Sequence, residues 1–251
     1  ASRGCQSVST LLLGSPLKWM QTSEGAFGHR YAYAKVWNPP TGDFMVKVHF
    51  RGTRTEVTTA KLAETHASKA EIARALKADK LVTLSPRVKK LANEVTAGKT
   101  TRVDQAHAIY DYLLATMKYD KTIPGWGHGD SERACDIKAG NCTDFHSLFM
   151  SMARAKGIPA RFVIGFPMAS DHGTVAGYHC WAEFYVNGKG WIPVDPSEAS
   201  KSTDAARRAY LFGNLDPDRV QFTMGSHLVL TPATAEPLNY FIYPHPEAAR
   251  Q

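Results

Sequence analysis

Hydrophobic and polar positions change period several times along the chain, and each change predicts an element. Residues 30–37 and 44–50 alternate polar with apolar or aromatic side chains, the two-residue period of a half-buried strand. Asn38-Pro39-Pro40-Thr41-Gly42-Asp43 between them is dense in turn formers, so the segment predicts a hairpin. From Lys61 to Lys80 the composition shifts to Ala, Lys and Glu with apolar residues at helical intervals, and Ser85-Pro86 opens a second such stretch through Val95. Val103 to Met117 sets Ala106, Ile109, Tyr110 and Leu113 on one face of a helix beginning near Asp104. The Gly-rich polar stretch 124–136 reads as a loop. A helix opened by Asn141 runs to about Lys156, where Gly157 and Pro159 stop it. Strands follow at 161–166, 178–186 and 191–194, the last two joined across Asn187-Gly188-Lys189-Gly190, with further candidates at 220–223 and 228–230 and an aromatic run at 240–243. Three regions result: a β-rich segment 1–60, a helical linker 61–100, and a core 101–251.

Composition narrows the class. With 251 residues, 43% hydrophobic and 21% charged, the chain can bury a real core, which excludes a disordered or collagen-like polymer. No apolar run approaches the roughly 18 residues of a membrane span, so no transmembrane segment is expected. A basic-then-apolar leader is absent, but a mature exported protein has lost its leader, so the compartment stays open. Residues 1–125 hold 19 basic against 10 acidic groups and residues 126–251 hold 11 against 13. The basic residues are spread among alanines and glutamates without aromatic interleaving, which argues against a nucleic-acid partner. Cys5, Cys135, Cys142 and Cys180 are too few for a disulfide scaffold, although Cys5 and Cys135 could pair in an oxidising compartment. None of them has zinc-finger spacing, and a metal site would require Cys135, Cys142, His146, His179 and Cys180 to converge in space.

Three residues carry candidate chemistry. Cys142 falls in the first turn of its helix, where free N–H groups and the positive dipole end favour a thiolate, opposed in part by Asp144. It shares a face with Phe145 and Phe149, so a small buried hydrophobe is the alternative. His179 lies in GYHCWAEFY, with Trp181, Glu183 and Tyr185 on its face and Cys180, Ala182 and Phe184 on the other. It is either a general base for a helix-end thiol or a core histidine bonded to a carbonyl. Asp195 ends the next strand and either orients the imidazole or closes a turn. In a regular ladder an even loop would send His179 and Asp195 to opposite faces. The triad reading therefore predicts an odd loop or a bulge at Gly188 or Gly190 that sets Asp195 opposite Trp181 and diagonal to His179.

GNCTDFHSLF, ARAKGIPARFVIGF, GYHCWAEFY and GWIPVDPSEASK, in this order and spacing, resemble the core of the transglutaminase-like superfamily, particularly its bacterial branch described as cysteine proteases. The resemblance covers about Asp104 to Lys201 well and extends less specifically to Tyr243. It implies an α+β, papain-like core, a central helix packed on an antiparallel sheet, behind a small N-terminal β-rich segment. By position it makes Cys142 the nucleophile, His179 the general acid/base and Asp195 the orienting carboxylate. Trp126 would be a second oxyanion donor beside the Cys142 N–H, though packing explains a tryptophan there equally well. The superfamily often has a small residue where this chain has Cys180, whose side chain is expected to point away from the site. Animal transglutaminases need calcium; no calcium-loop motif or carboxylate cluster is present here, so neither metal nor other cofactor is expected.

The expected function is a thiol-dependent acyl transfer on peptide or carboxamide bonds through a thioester, with hydrolysis slightly favoured over transamidation. Peptide or protein substrates, cell-wall peptide among them, and a periplasmic or secreted setting follow from the resemblance. The rival is a catalytically silent binding or scaffold module of the same fold.

Overall fold

The computed structural model describes residues 5–38, 41–43, 45–61, 66–168 and 172–248. In chain order the strands and helices are β1 (Gln6–Gly14), β2 (Met20–Ser23), β3 (Arg30–Tyr33), β4 (Lys47–Arg54), β5 (Val57–Thr58), α1 (Lys69–Leu76), α2 (Pro86–Val95), α3 (Arg102–Thr116), β6 (Lys118–Tyr119), α4 (Ser131–Ile137), β7 (Ala139–Gly140), α5 (Cys142–Ala155), β8 (Ala160–Pro167), β9 (His179–Val186), β10 (Gly190–Val194), α6 (Pro196–Ser200), α7 (Ala205–Tyr210), β11 (Asn214–Leu215) and β12 (Arg219–Met224). The centre is an antiparallel sheet of order β10-β9-β8-β12 with α5 laid across one face, the expected α+β arrangement.

Helix α5 is buried all round, from Cys142 to Arg154. Such a helix has no solvent face on which to leave polar groups, so each must find a partner inside. Ser151 donates to the carbonyl of Thr83, and Arg154 donates to the carbonyls of Lys77 (2.8 Å) and Ala160 (3.0 Å). On the sheet side α5 meets Phe162, Ile164, Cys180, Ala182 and Phe184, while Val88, Ala92, Ile109 and Leu113 close over it from α2 and α3. The predicted face of α3, Ala106, Ile109, Tyr110 and Leu113, is the buried one. Helix α2 runs over the expected residues, capped by the Ser85 hydroxyl, and packs into this core rather than serving as a spacer. The opposite face of the sheet carries a smaller cluster of Val57, Val163, Trp181, Leu215 and Met224. Among the described residues no helix is long and apolar enough to cross a membrane.

Several expectations are corrected. The predicted hairpin does not form: β3 pairs with β2 and β4 with β1. Strands of matched length satisfy more backbone groups than a four-residue strand against an eight-residue one would. Pro39, Pro40 and Phe44 of that segment lie outside the described residues, as do residues 62–65 of the first helical stretch. The stretch 124–136 is only half loop, since Asp130 caps α4 by accepting from the N–H groups of Glu132 (2.9 Å) and Arg133 (3.2 Å). A seven-residue helix is too short to show a hydrophobic period. Residues 228–230 form no strand, only a bridge between Leu228 and Leu238. All four cysteines are free; Cys5 packs in the Trp181 cluster and Cys135 beside the α5 core, on different sides of the sheet.

Candidate active site

The start of α5 is fixed by its own first residues. Asn141 is the cap, its side chain accepting from the Thr143 N–H at 2.9 Å, and Asp144 completes the box by accepting from the Asn141 N–H at 2.9 Å. The same Asp144 carboxylate accepts from Gly127 N–H (2.7 Å) and Gly129 N–H (3.2 Å), so it pins the preceding loop against the helix end. Burial lifts the Asp144 carboxyl above its usual range, and these backbone donors pull against that rise. Gly140, just before the cap, has φ +157°, and a Cβ there would stand 2.1 Å from the Asp144 carboxylate. Only glycine fits. Cys142 thus becomes the first residue of a helix whose free N–H groups favour an anion.

The β9–β10 hairpin brings the other two residues. Val186 faces Gly190 and Trp191 faces Tyr185, leaving a three-residue loop, and the ladder carried one step past Val194–Ala182 puts Asp195 opposite Trp181. This is the odd loop that the parity argument required. His179 Nε2 stands 2.7 Å from Asp195 Oδ2, which leaves Nδ1 to meet the Cys142 thiol. Asp195 Oδ1 accepts from Ser197 Oγ (2.9 Å) and from the Glu198 N–H (2.9 Å), so the carboxylate also caps α6. Cys142, His179 and Asp195 are all buried.

Charge in this enclosed place is strongly coupled. Hydrogen bonding from Cys180 lowers the Cys142 thiol well below its ordinary range; burial opposes this, and the His179 ring reinforces it. Burial alone would lower His179, but the Asp195 charge and hydrogen bond, with Cys142, raise it to about 9. Burial would raise Asp195, yet the charges of His179 and Arg219 hold it well below the carboxylate range. Burial and the adjacent Cys142 push Cys180 well up, so it stays a thiol. Of the two neighbouring thiols the one at the helix end beside the histidine ionises, because both neighbours favour negative charge there.

Four further residues reach the site, in roles the sequence did not assign them. Arg219, the first residue of β12, sends its guanidinium beneath the sheet to Asp195 Oδ2, and its Nε bonds Asp216 at 3.1 Å. Nothing local in the sequence marks it, since it lies 24 residues from its partner on the far edge strand. His146, one helical turn after Cys142, meets the Cys142 carbonyl oxygen through Nδ1 at 2.5 Å, while its Nε2 stands 3.4 Å from Asp195 Oδ1 without the alignment of a full hydrogen bond. Its four-residue spacing from the thiol was a visible signal. Cys180 corrects an expectation outright: the alternation of β9 turns it toward α5, so its side chain points at the site and not away. Tyr178 places its hydroxyl 3.1 Å from the Asn141 amide and 3.3 Å from the Thr143 hydroxyl, on either side of Cys142 in sequence. Trp126 is 39% exposed, with the Lys121 ammonium 5.8 Å from its ring centre, and it heads the loop that Asp144 pins. A cleft of about 710 Å³ lined by Arg74, Asp79, Arg154, Arg161 and Trp191 contains none of the three candidate residues.

Comparison with known proteins agrees with this architecture. Residues 89–196 match the model of the transglutaminase-like superfamily. An uncharacterized protein of Haemophilus influenzae is 31% identical over 193 residues, 64% of this chain and 52% of its own length. The protein-glutamine gamma-glutamyltransferase of Pseudomonas aeruginosa is 28% identical over 131 residues, 45% of this chain and 18% of its own. The chain therefore spans about half the first relative and under a fifth of the second. The crystal structure of a candidate cysteine protease from Cytophaga hutchinsonii shares the fold, with a TM-score of 0.59 over 95% of this chain and 84% of that one at 17% identity.

Proposed function

We propose, from the match of residues 89–196 to the transglutaminase-like superfamily, that this chain is a thiol-dependent acyl-transfer enzyme of that superfamily acting on peptide or carboxamide bonds. The observation that carries the reading is the unbroken line of contacts from Cys142 through His179 to Asp195 at the positive end of a buried helix. Cys142 Sγ attacks the carbonyl carbon, and the developing oxyanion is met by the Cys142 N–H. Trp126 is the second donor in this reading, supported by its place next to Gly127, whose N–H is tied to Asp144. His179 gives its Nδ1 proton to the departing amine and takes one back from the acceptor. Asp195, holding Nε2–H, keeps the ring oriented and offsets its cationic form. These steps use side chains of this chain alone. Water is the favoured acceptor, with peptides, cell-wall peptide included, as donors in a periplasmic or secreted setting.

The test is mass spectrometry of a peptide library incubated with and without a primary amine. A cut backbone identifies a peptidase, conversion of glutamine to glutamate an amidase, and an amine adduct a transferase. Cys142→Ala should abolish every product and leave the thermal midpoint nearly unchanged; activity retained in that variant ends the reading. If the native protein makes no product and Cys142 is alkylated by iodoacetamide no faster than free cysteine, the chain is a silent binding module.

A further inference from the structure

The active thiol has a second thiol for a neighbour. Cys180 projects from β9 onto α5 with no exposure, and its sulfur is within hydrogen-bonding reach of Cys142. His146 ties the two residues together: its Nδ1 lies 3.5 Å from Cys180 Sγ and 2.5 Å from the Cys142 backbone carbonyl oxygen. Both cysteines are free. The proton passed between Cys142 and His179 does not travel through Cys180, and any hydroxyl or thiol donor could support the Cys142 thiolate there, so the choice of a second sulfur is left unexplained by the acyl-transfer chemistry.

We propose that Cys180 is a resolving cysteine, which traps peroxide-oxidised Cys142 as a reversible Cys142–Cys180 disulfide. The inference rests on Cys142 being the activated thiol of the function proposed above. In the first step the Cys142 thiolate attacks one oxygen of hydrogen peroxide or an alkyl hydroperoxide. An S–O bond forms, the O–O bond breaks, hydroxide or alkoxide departs, and two electrons pass from sulfur to the peroxide. In the second step Cys142 is a neutral sulfenic acid, so the adjacent negative charge that raises Cys180 is gone, and Cys180 sulfur attacks Cys142 sulfur as its proton passes to the departing hydroxyl. The S–S bond forms, the S–O bond breaks, and the Cys180 proton leaves with the hydroxyl as water. Without a neighbouring thiol a sulfenic acid goes on to sulfinic acid, which ordinary thiols do not reverse. Burial suits Cys180 to this task, since it meets no thiol-reactive molecule from solution and has one sulfur within reach.

The experiment exposes the full chain to hydrogen peroxide, alkylates it with N-ethylmaleimide during denaturation, and maps the digest by mass spectrometry. The native protein should yield the Cys142 and Cys180 peptides joined and lighter by two hydrogens, and dithiothreitol should restore the alkylation of Cys142. Cys180→Ala and Cys180→Ser, each checked for a native-like thermal transition, should instead accumulate Cys142 sulfinic acid that dithiothreitol does not reverse. Sulfinic acid at Cys142 of the native protein without the joined peptide overturns the proposal, as does equal recovery in both Cys180 variants. The readout is a mass and needs no turnover. A joined peptide in a protein that makes no acyl-transfer product therefore sinks the proposed function and not the thiol pair.

Discussion

Asp195 has no solvent exposure, and its charge is held by His179 on one side and Arg219 on the other. Removing one partner of a buried ion pair leaves the other uncompensated. Arg219→Met should therefore lower the unfolding free energy by about 3–5 kcal/mol in urea titrations. It should also reduce kcat more than KM, because the carboxylate that orients the histidine loses a tether rather than a substrate contact. Arg219→Lys, which keeps the charge but not the planar fork, should recover part of the stability. A second prediction concerns pH. In the proposed mechanism the reactive form pairs a Cys142 thiolate with a His179 imidazolium, so kcat/KM should be bell-shaped. Its alkaline limb should lie near pH 9, where His179 loses its proton, and its acid limb well below the ordinary thiol range, where Cys142 gains one. These residues were legible in different degrees. Cys142, His179 and Asp195 stood out because each sits at an element end or in an alternating strand. Arg219 did not, because its role depends on a contact across the sheet.

The α5 N-terminus and the loop before it form one mechanical unit. Asp144 joins them through three backbone N–H groups, from Asn141, Gly127 and Gly129, so the residue that caps the helix also holds the loop against the helix end. Hydrogen bonds to a charged group contribute about 1.5–3 kcal/mol each, so Asp144→Ala should cost at least about 3 kcal/mol. It should also release the loop, measured as faster tryptic cleavage at Lys121 and Arg133, whereas Asp144→Asn should do so less. The sequence showed the cap, since Asn141 and Asp144 are local to the helix. It did not show the loop contact, which spans 17 residues and closes only when Gly127 and Gly129 fold back over the helix end. The β9–β10 hairpin was readable through parity alone, because strand alternation forces a loop of odd length if His179 and Asp195 are to meet. The same alternation turns Cys180 toward α5, and its direction was misjudged because the face opposite His179 was not recognised as the one that α5 covers.

Across the whole molecule the thiolate–imidazolium pair leaves a signature in stability against pH. Between about pH 6.5 and 8.5 the folded pair holds one proton, on His179, and the unfolded chain also holds one, on the cysteine, so the pair makes no slope. Below about 6.5 the unfolded histidine takes a proton as well, while the folded Cys142, depressed far below its ordinary value, does not until lower pH. The unfolded state then binds more protons, so stability drops as the pH is lowered. Asp195 adds to this: its contribution is complete above about 3.9, its unfolded value, and is lost as pH falls through its depressed folded value. Cys142→Ala removes the thiolate, and a His179 still raised by Asp195 then contributes fully below 6.5 and less as pH rises toward its folded value. Urea midpoints in the window from about 6.5 to 8.5 should therefore fall with pH in the variant relative to the native protein. The sequence by itself determined helices α2, α3 and α5, the β9–β10 hairpin and the choice of the three candidate residues, because caps, periodicity and alternation act between near neighbours in the chain. Tertiary structure alone decided the pairing of the N-terminal strands, the guanidinium behind Asp195, the loop tied to Asp144 and the sulfur beside Cys142. Those contacts join residues far apart in sequence, and their free energy exists only once the sheet and α5 have closed on each other.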